Sequence, residues 1–161
     1  MSHWESAGKS DEWYTPKYVQ ESFGQNCMFD LDVSAPKEGP RYIQCKEWIY
    51  EDSLSKDWSG FVWMNPPFGG RNSIKIWLDK FFQEAESGIA LTPDRTSAGW
   101  WQEALAKSDG VLFVNHKIKF ERPDGTLGKQ PSNGTTLFGI GDGIKYLKIA
   151  EQNGLGIFLS K

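Results

Sequence analysis

Short apolar runs recur along the chain, and each is followed by residues that favour turns. A run of this length that ends in Gly, Pro, Asn, Asp or Ser predicts a strand. The middle runs are continuously apolar, which is typical of parallel strands covered on both faces. The predicted strands span residues 28–33, 47–50, 61–64, 88–91, 110–114, 135–140 and 155–159.

Helical patterns lie between these runs. The clearest covers residues 72–86, where apolar side chains recur every three to four positions and form one stripe. Residues 16–23 predict a helix with Thr15 as N-cap and Pro16 at its first position. Residues 96–108, with Thr96 as N-cap, and 144–152 predict two more.

The alternation of strands and helices predicts an α/β fold with a mostly parallel seven-stranded sheet and flanking helices. Ligands of such sheets bind beyond the carboxyl ends of the strands. The residues that directly follow the runs are therefore the functional candidates. They are Asp32-Val33-Ser34, Asp52-Ser53, Asn65-Pro66-Pro67-Phe68, Asp94-Arg95 and His116-Lys117.

The tetrapeptide Asn65-Pro66-Pro67-Phe68 has the most specific chemistry of these candidates. Pro66 and Pro67 lack an N–H group, so the loop is stiff and rich in acceptors, with the Asn65 side-chain oxygen and the Pro66 carbonyl exposed to a ligand. Two acceptors beside an aromatic ring suit an amino group on a flat ring, such as that of adenine. Each hydrogen bond in a dry site contributes about 1–3 kcal/mol, and stacking on Phe68 adds about as much.

This tetrapeptide resembles the (Asn/Asp/Ser)-Pro-Pro-(Tyr/Phe) motif of S-adenosylmethionine-dependent amino-methyltransferases. Together with flanking segments in the same order, the chain resembles the phage-type DNA N6-adenine methyltransferase (Dam) family over about residues 11–140. The resemblance implies the class I methyltransferase (Rossmann-like) fold, S-adenosylmethionine as cofactor and duplex DNA as substrate. The flanking segments are Asp11-Glu12-Trp13-Tyr14-Thr15-Pro16, Phe29-Asp30-Leu31-Asp32-Val33-Ser34-Ala35, Tyr50-Glu51-Asp52-Ser53-Leu54, Asp57-Trp58 and Thr92-Pro93-Asp94-Arg95-Thr96.

The resemblance also implies residue roles. Asn65, Pro66, Pro67 and Phe68 form the catalytic loop. The implied cofactor-binding residues are Trp13, Tyr14, Thr15, Pro16, Asp32, Ser34, Asp52, Leu54 and Asn65. Each role has a structural alternative: Thr15 is also a plain N-cap, Asp32 a capping carboxylate and Asp52 ordinary turn chemistry. Ser34-Ala35-Pro36 stands where most class I enzymes have a Gly-x-Gly turn.

Basic side chains follow the catalytic loop and the later strands. A stretch rich in Lys, Arg and Gly over residues 116–131 reads as a long loop that contacts DNA, with a solvated surface as the alternative for any single residue. The predicted DNA-binding residues are Arg71, Arg95, Lys117, Lys119, Arg122 and Lys129.

Length, charge and composition predict the domain organisation of the chain and the classes of partner that it binds. With 161 residues we expect a loose arm over 1–10 and a single domain over 11–161, which leaves recognition to short loops. The net charge of -3 argues against strong non-specific nucleic-acid binding, although 8 Trp leave room for stacking platforms. Neither a long apolar run nor an apolar leader is present, so we expect no membrane partner and a cytoplasmic location, that of a host cell if a phage encodes the chain. The sequence contains only 2 His and 2 Cys, so we expect no metal site.

The sequence thus predicts methyl transfer from S-adenosylmethionine to N6 of a flipped-out adenine in duplex DNA. The same loop suits other amino acceptors, namely cytosine N4, an RNA guanine or a protein glutamine. A non-catalytic DNA-binding decoy is the alternative from another class. The oligomeric state and the recognition sequence stay open.

Overall fold

One seven-stranded sheet organises the described part of the chain, residues 13–67 and 73–161 of a computed structural model. All seven predicted strands are confirmed, with ends within about two residues of those expected. The strands are β1 (Phe29–Asp32), β2 (Cys45–Trp48), β3 (Phe61–Met64), β4 (Ser87–Pro93), β5 (Gly110–Val114), β6 (Thr135–Ile140) and β7 (Gly156–Ser160).

Four helices accompany the sheet in the described residues, close to the predicted positions. They are α1 (Lys17–Ser22), α2 (Ser73–Glu84), α3 (Gly99–Lys107) and α4 (Gly143–Gln152), and a short 3-10 turn covers Ser53–Ser55. Among the described helices, not one has the length and apolar character that crossing a membrane requires.

The sheet is mixed, so the prediction of a mostly parallel sheet is wrong. The strand order is β2-β1-β3-β4-β6-β5-β7. The first four strands in this order pair in parallel, whereas β6 pairs antiparallel with β4 and β5, and β7 pairs antiparallel with β5. All six residues of β6 are buried. A run covered on both faces looks alike in either direction, so apolar continuity did not reveal the reversal.

The predicted N-caps are wrong for two helices. Pro16, in an extended conformation, is the N-cap of α1, and Ala98 is the N-cap of α3; neither makes a side-chain capping bond. The carbonyl of Thr96 instead accepts a hydrogen bond from Gln102. The hydroxyl of Thr15 contacts Asn65, a residue far along the chain. A tertiary partner therefore took the place of the local cap.

Alternate residues of the strands pack into two cores, one on each face of the sheet. In β3, Phe61 and Trp63 join the core under α1 and α4, whereas Val62 and Met64 join the core under α2 and α3. Burying a large apolar side chain stabilises the fold by about 1.5–3 kcal/mol. Packing on both faces holds β3 firmly, and Asn65 follows directly at its carboxyl end.

The carboxyl ends of β1, β2 and β3 meet at one edge of the sheet. Asp32, the last residue of β1, is in register with Trp48 of β2 and with Trp63 of β3. Asp32 and Asn65 therefore lie at the same edge although they are far apart in sequence. This edge is where the parallel part of the sheet presents its loops.

Candidate active site

A cavity opens at this edge, beyond β1 and β3. It brings together six of the predicted site residues, which come from three separate segments. These are Trp13, Tyr14, Thr15, Asp32, Ser34 and Asn65. Further lining residues come from the connection between β1 and β2, among them Pro40, Arg41 and Tyr42.

Ser34 ties the loop after β1 to the loop after β3. Its hydroxyl donates to the carbonyl oxygen of Asn65 at 2.8 Å and lies 3.1 Å from the Asn65 backbone N–H. The N–H of Val33 donates to the carbonyl of Trp63 at 3.2 Å. These bonds fix the backbone of Asn65 relative to Asp32. The Ser34-Ala35-Pro36 turn therefore connects the loop after β1 to the loop after β3 through Ser34.

The side chain of Asn65 points toward the amino-terminal segment of the described chain. Its Nδ2 donates to the Thr15 hydroxyl oxygen at 3.1 Å. The Oδ1 atom receives no hydrogen bond from the described residues and stays available as an acceptor. Pro66 is buried and Pro67 is half-buried, so the loop after Asn65 is packed. Phe68 lies outside the described residues.

Asp32 is a buried carboxylate that lines the cavity, with only 4% of the residue exposed. One carboxylate oxygen accepts the N–H of Ser34 at 3.0 Å, and no described cationic side chain forms an ion pair with it. Burial raises the pKa of Asp32 to about 7, and the Ser34 hydrogen bond opposes this shift. A cation bound beside Asp32 would stabilise its charged form.

A wall of the cavity was missed by sequence reasoning. The Arg41 guanidinium lies 4.0 Å from the centre of the Tyr14 ring and donates to Glu121 Oε1 at 2.9 Å. The Tyr42 hydroxyl donates to the same oxygen at 3.0 Å. Backbone groups of Tyr14 and Glu121 pair reciprocally at 2.8 and 2.9 Å. Arg41 and Tyr42 lie about 80 residues from Glu121 in the sequence, and Tyr14 lies further still. No local pattern in the sequence marks these pairs.

The predicted basic loop folds into a hairpin over residues 120–128, in which Glu121 bridges Leu127. Arg122 lies 5.3 Å from the centre of the Trp13 ring and donates to the Leu127 carbonyl at 2.7 Å. Lys117 donates to the Ser132 carbonyl at 3.2 Å. Arg122 and Lys117 thus have structural contacts within the chain.

The other predicted residues lie apart from the cavity lining. Asp52 is exposed, with a positive φ of 53°, and Leu54 is 41% exposed. Arg95, Lys119 and Lys129 are exposed, whereas Pro16 is buried at the start of α1. Arg71 falls outside the described residues, as does the predicted arm over 1–10.

Comparison with protein families identifies the family of the chain. A profile of the DNA N-6-adenine-methyltransferase (Dam) family matches residues 2–138. The chain belongs to the Dam family. The match confirms the resemblance found in the sequence, and it spans Asp32, Asn65 and the hairpin. In this Dam-family chain, α4 and β7 follow the matched region.

Other comparisons add little to the Dam assignment. The comparison with curated proteins gave no match. Among solved structures, the chain is similar to the crystal structure of Thermoplasma acidophilum 1320, at 16% identity and a TM-score of 0.35. That alignment covers 62% of this chain and 54% of the other, so the chain spans about half of that protein's length. A likeness this weak carries no argument.

Proposed function

We propose that this Dam-family protein transfers a methyl group from S-adenosylmethionine to N6 of an adenine in duplex DNA. The observation that supports this most is the cavity in which Asn65 and Asp32 meet. An acceptor for an amino group and a carboxylate suited to a cation line this one cavity. The first suits the amine that receives the methyl group, and the second suits the ammonium group of the cofactor.

Asn65 is proposed to bind the amino group of the base. Its Oδ1 accepts one N–H of the amine, and the Pro66 carbonyl accepts the other. Both bonds favour a more tetrahedral nitrogen whose lone pair is free to attack. Phe68 is proposed to stack on the base and hold its plane. The new bond from nitrogen to carbon would form as the bond from the methyl group to sulfur breaks, so S-adenosylhomocysteine would leave and the extra proton on the nitrogen would pass to water. No covalent bond to the protein forms in this scheme.

The cofactor side of the proposed site centres on Asp32. Its buried carboxylate, short of hydrogen bonds from the described chain, fits the ammonium group of a methionine moiety. Trp13, Tyr14, Thr15 and Ser34 line the same cavity and are proposed to enclose this moiety. When bound, S-adenosylmethionine supplies an electrophilic methyl group on a sulfonium. Asp52, Leu54 and Pro16 stay proposed as further cofactor-binding residues. The class I methyltransferase fold is also part of the proposal.

The DNA side of the proposed site consists of the predicted basic residues. The base must leave the duplex to reach Asn65, so base flipping is part of the proposal. These basic residues are proposed to contact the DNA backbone. These are Arg71, Arg95, Lys117, Lys119, Arg122 and Lys129. Short loops carry recognition, so a short or loosely specified target sequence follows.

The test is transfer of a labelled methyl group to three acceptors: duplex DNA, RNA and a glutamine-containing peptide. The proposal expects N6-methyladenine in DNA, and Asn65→Ala should lower kcat by about 10²–10³-fold. Asn26→Ala is the matched control, because Asn26 is exposed and precedes the opposite end of β1. Label in RNA, peptide or cytosine alone would contradict the proposal, as would undiminished transfer by Asn65→Ala.

A further inference from the structure

We propose that Thr15 is the positioning residue that holds the Asn65 side-chain amide in place at the cavity. The proposal rests on the proposed function of Asn65 as the acceptor of the amine. Thr15 is buried, with 7% of the residue exposed, and its Oγ1 lies 3.1 Å from Asn65 Nδ2. Pro16, not Thr15, is the N-cap of α1, so the contact with Asn65 does not compete with a capping role.

The orientation of an asparagine amide decides whether it accepts or donates. One end carries an acceptor oxygen and the other carries two N–H donors. With Nδ2 bound to Thr15, Oδ1 is the end left for a ligand. A reversed amide would turn N–H groups toward the N–H groups of a bound amine, and the two would repel. A hydroxyl can accept from Nδ2 or donate to Oδ1, so Thr15 holds the amide at the cavity and a bound amine favours the end that accepts.

Both partners of this hydrogen bond are held from behind. The Asn65 backbone is bonded to Ser34 on both its N–H and its carbonyl. Tyr14, directly before Thr15, pairs through its backbone with Glu121 and lies under Arg41. With both backbones fixed, the contact between Thr15 and Asn65 depends on the two side chains. Removing the hydroxyl should therefore free the amide without displacing the chain.

The role predicts a specific split in the kinetics. Loss of amide orientation affects the step in which the amine attacks, so kcat should fall. Thr15 also lines the cofactor cavity, so the Kd for S-adenosylmethionine should rise as well, but by a smaller factor than kcat falls. A residue that instead held the carboxylate of the cofactor would show the opposite split.

Thr15→Val tests the role, because valine matches threonine in shape and lacks the hydroxyl. We expect kcat to fall about tenfold or more while the Kd for S-adenosylmethionine, measured by calorimetry, rises by less than about threefold. Thr15→Ser keeps the hydroxyl and should restore kcat to within about threefold of the parent. Thr15→Ala replaces the valine variant if that variant does not fold.

A second measurement does not depend on activity. The side-chain amide signal of Asn65 in a ¹H–¹⁵N NMR spectrum is identified by its loss in Asn65→Asp. We expect this signal to shift and its protons to exchange faster in Thr15→Val but not in Thr15→Ser. An unchanged signal together with unchanged kcat overturns the proposal, and so does weaker cofactor binding with unchanged kcat. If the parent protein methylates no acceptor, the proposed function fails, and the NMR result still decides whether Thr15 holds the amide.

Discussion

At the carboxyl edge of β1 and β3 a buried carboxylate faces a cavity, whereas beside β4 and β6 polar side chains bond to each other. Asp32 accepts one hydrogen bond within the described chain and lines the cavity. Thr136, also buried, donates to Asp94 at 2.5 Å and accepts the indole N–H of Trp101 at 3.2 Å. Satisfied buried groups stabilise a fold, while buried groups with spare capacity at a cavity point to a ligand. We therefore expect the parallel part of the sheet to carry the proposed function and the antiparallel part to contribute mainly stability.

The largest expected effect tests the antiparallel part. Leu112 of β5 is fully buried, so Leu112→Ala should lower the free energy of unfolding by about 2–5 kcal/mol, measured by urea denaturation. The kcat of the folded fraction should not change. Leu159→Ala is the matched control, because Leu159 of β7 is 54% exposed and should change stability by less than about 0.5 kcal/mol. A tenfold lower kcat in folded Leu112→Ala would show that the site reaches into this part.

The next effect concerns the charge of Asp32. With a pKa of about 7 without ligand, the carboxylate is mostly neutral at pH 6 and mostly charged at pH 8. Only the charged form pairs with an ammonium group, so affinity should be lost as the pH falls. The Kd for S-adenosylmethionine should rise roughly tenfold from pH 8 to pH 6, because the charged fraction of Asp32 falls from about nine tenths to about one tenth.

Asp32→Asn separates this titration from others. The variant should bind S-adenosylmethionine weakly at both pH values and show a flat profile, measured by calorimetry. A parent profile that is flat between pH 6 and pH 8 would mean that Asp32 does not bind the cofactor's ammonium group.

The smallest expected effect concerns the wall of the cavity. Glu121→Gln keeps an acceptor oxygen for Tyr42 and Arg41 but removes the charge of an ion pair that is partly exposed to solvent. Such pairs contribute little, so we expect the Kd for S-adenosylmethionine to rise about twofold to threefold. Glu103→Gln, which changes an exposed pair with Lys75 between α2 and α3, is the control and should leave this Kd unchanged. A loss of more than about tenfold would mean that Glu121 contacts the ligand directly.

Local features of the sequence predicted the strands and the centre of the site. Asp32 lies at the end of one apolar run and Asn65 follows another, so position alone marked them, and both line the same cavity. Strand direction was not predictable, because β6 is buried along its whole length and carries no sign of its reversal. Nor did the sequence reveal the partners of Glu121, which lie about 80 residues away at Arg41 and Tyr42.

Thr15 illustrates the same limit on a smaller scale. Its position before Pro16 predicted an N-cap, which is a local role. The hydroxyl instead contacts Asn65, 50 residues further along the chain. Local rules of capping lose to a tertiary partner when the fold brings that partner within reach.

The most direct measurement is the nucleoside content of DNA from a host without its own DNA methylation, after expression of the chain. We expect N6-methyladenine in the DNA with the parent chain, and none above background with Asn65→Ala produced at an equal level of folded protein. Sequencing of the modified positions would then give the target sequence. If the folded parent chain gives no N6-methyladenine, the proposed methyl transfer is wrong. If Asn65→Ala gives equal amounts, the proposed role of Asn65 is wrong.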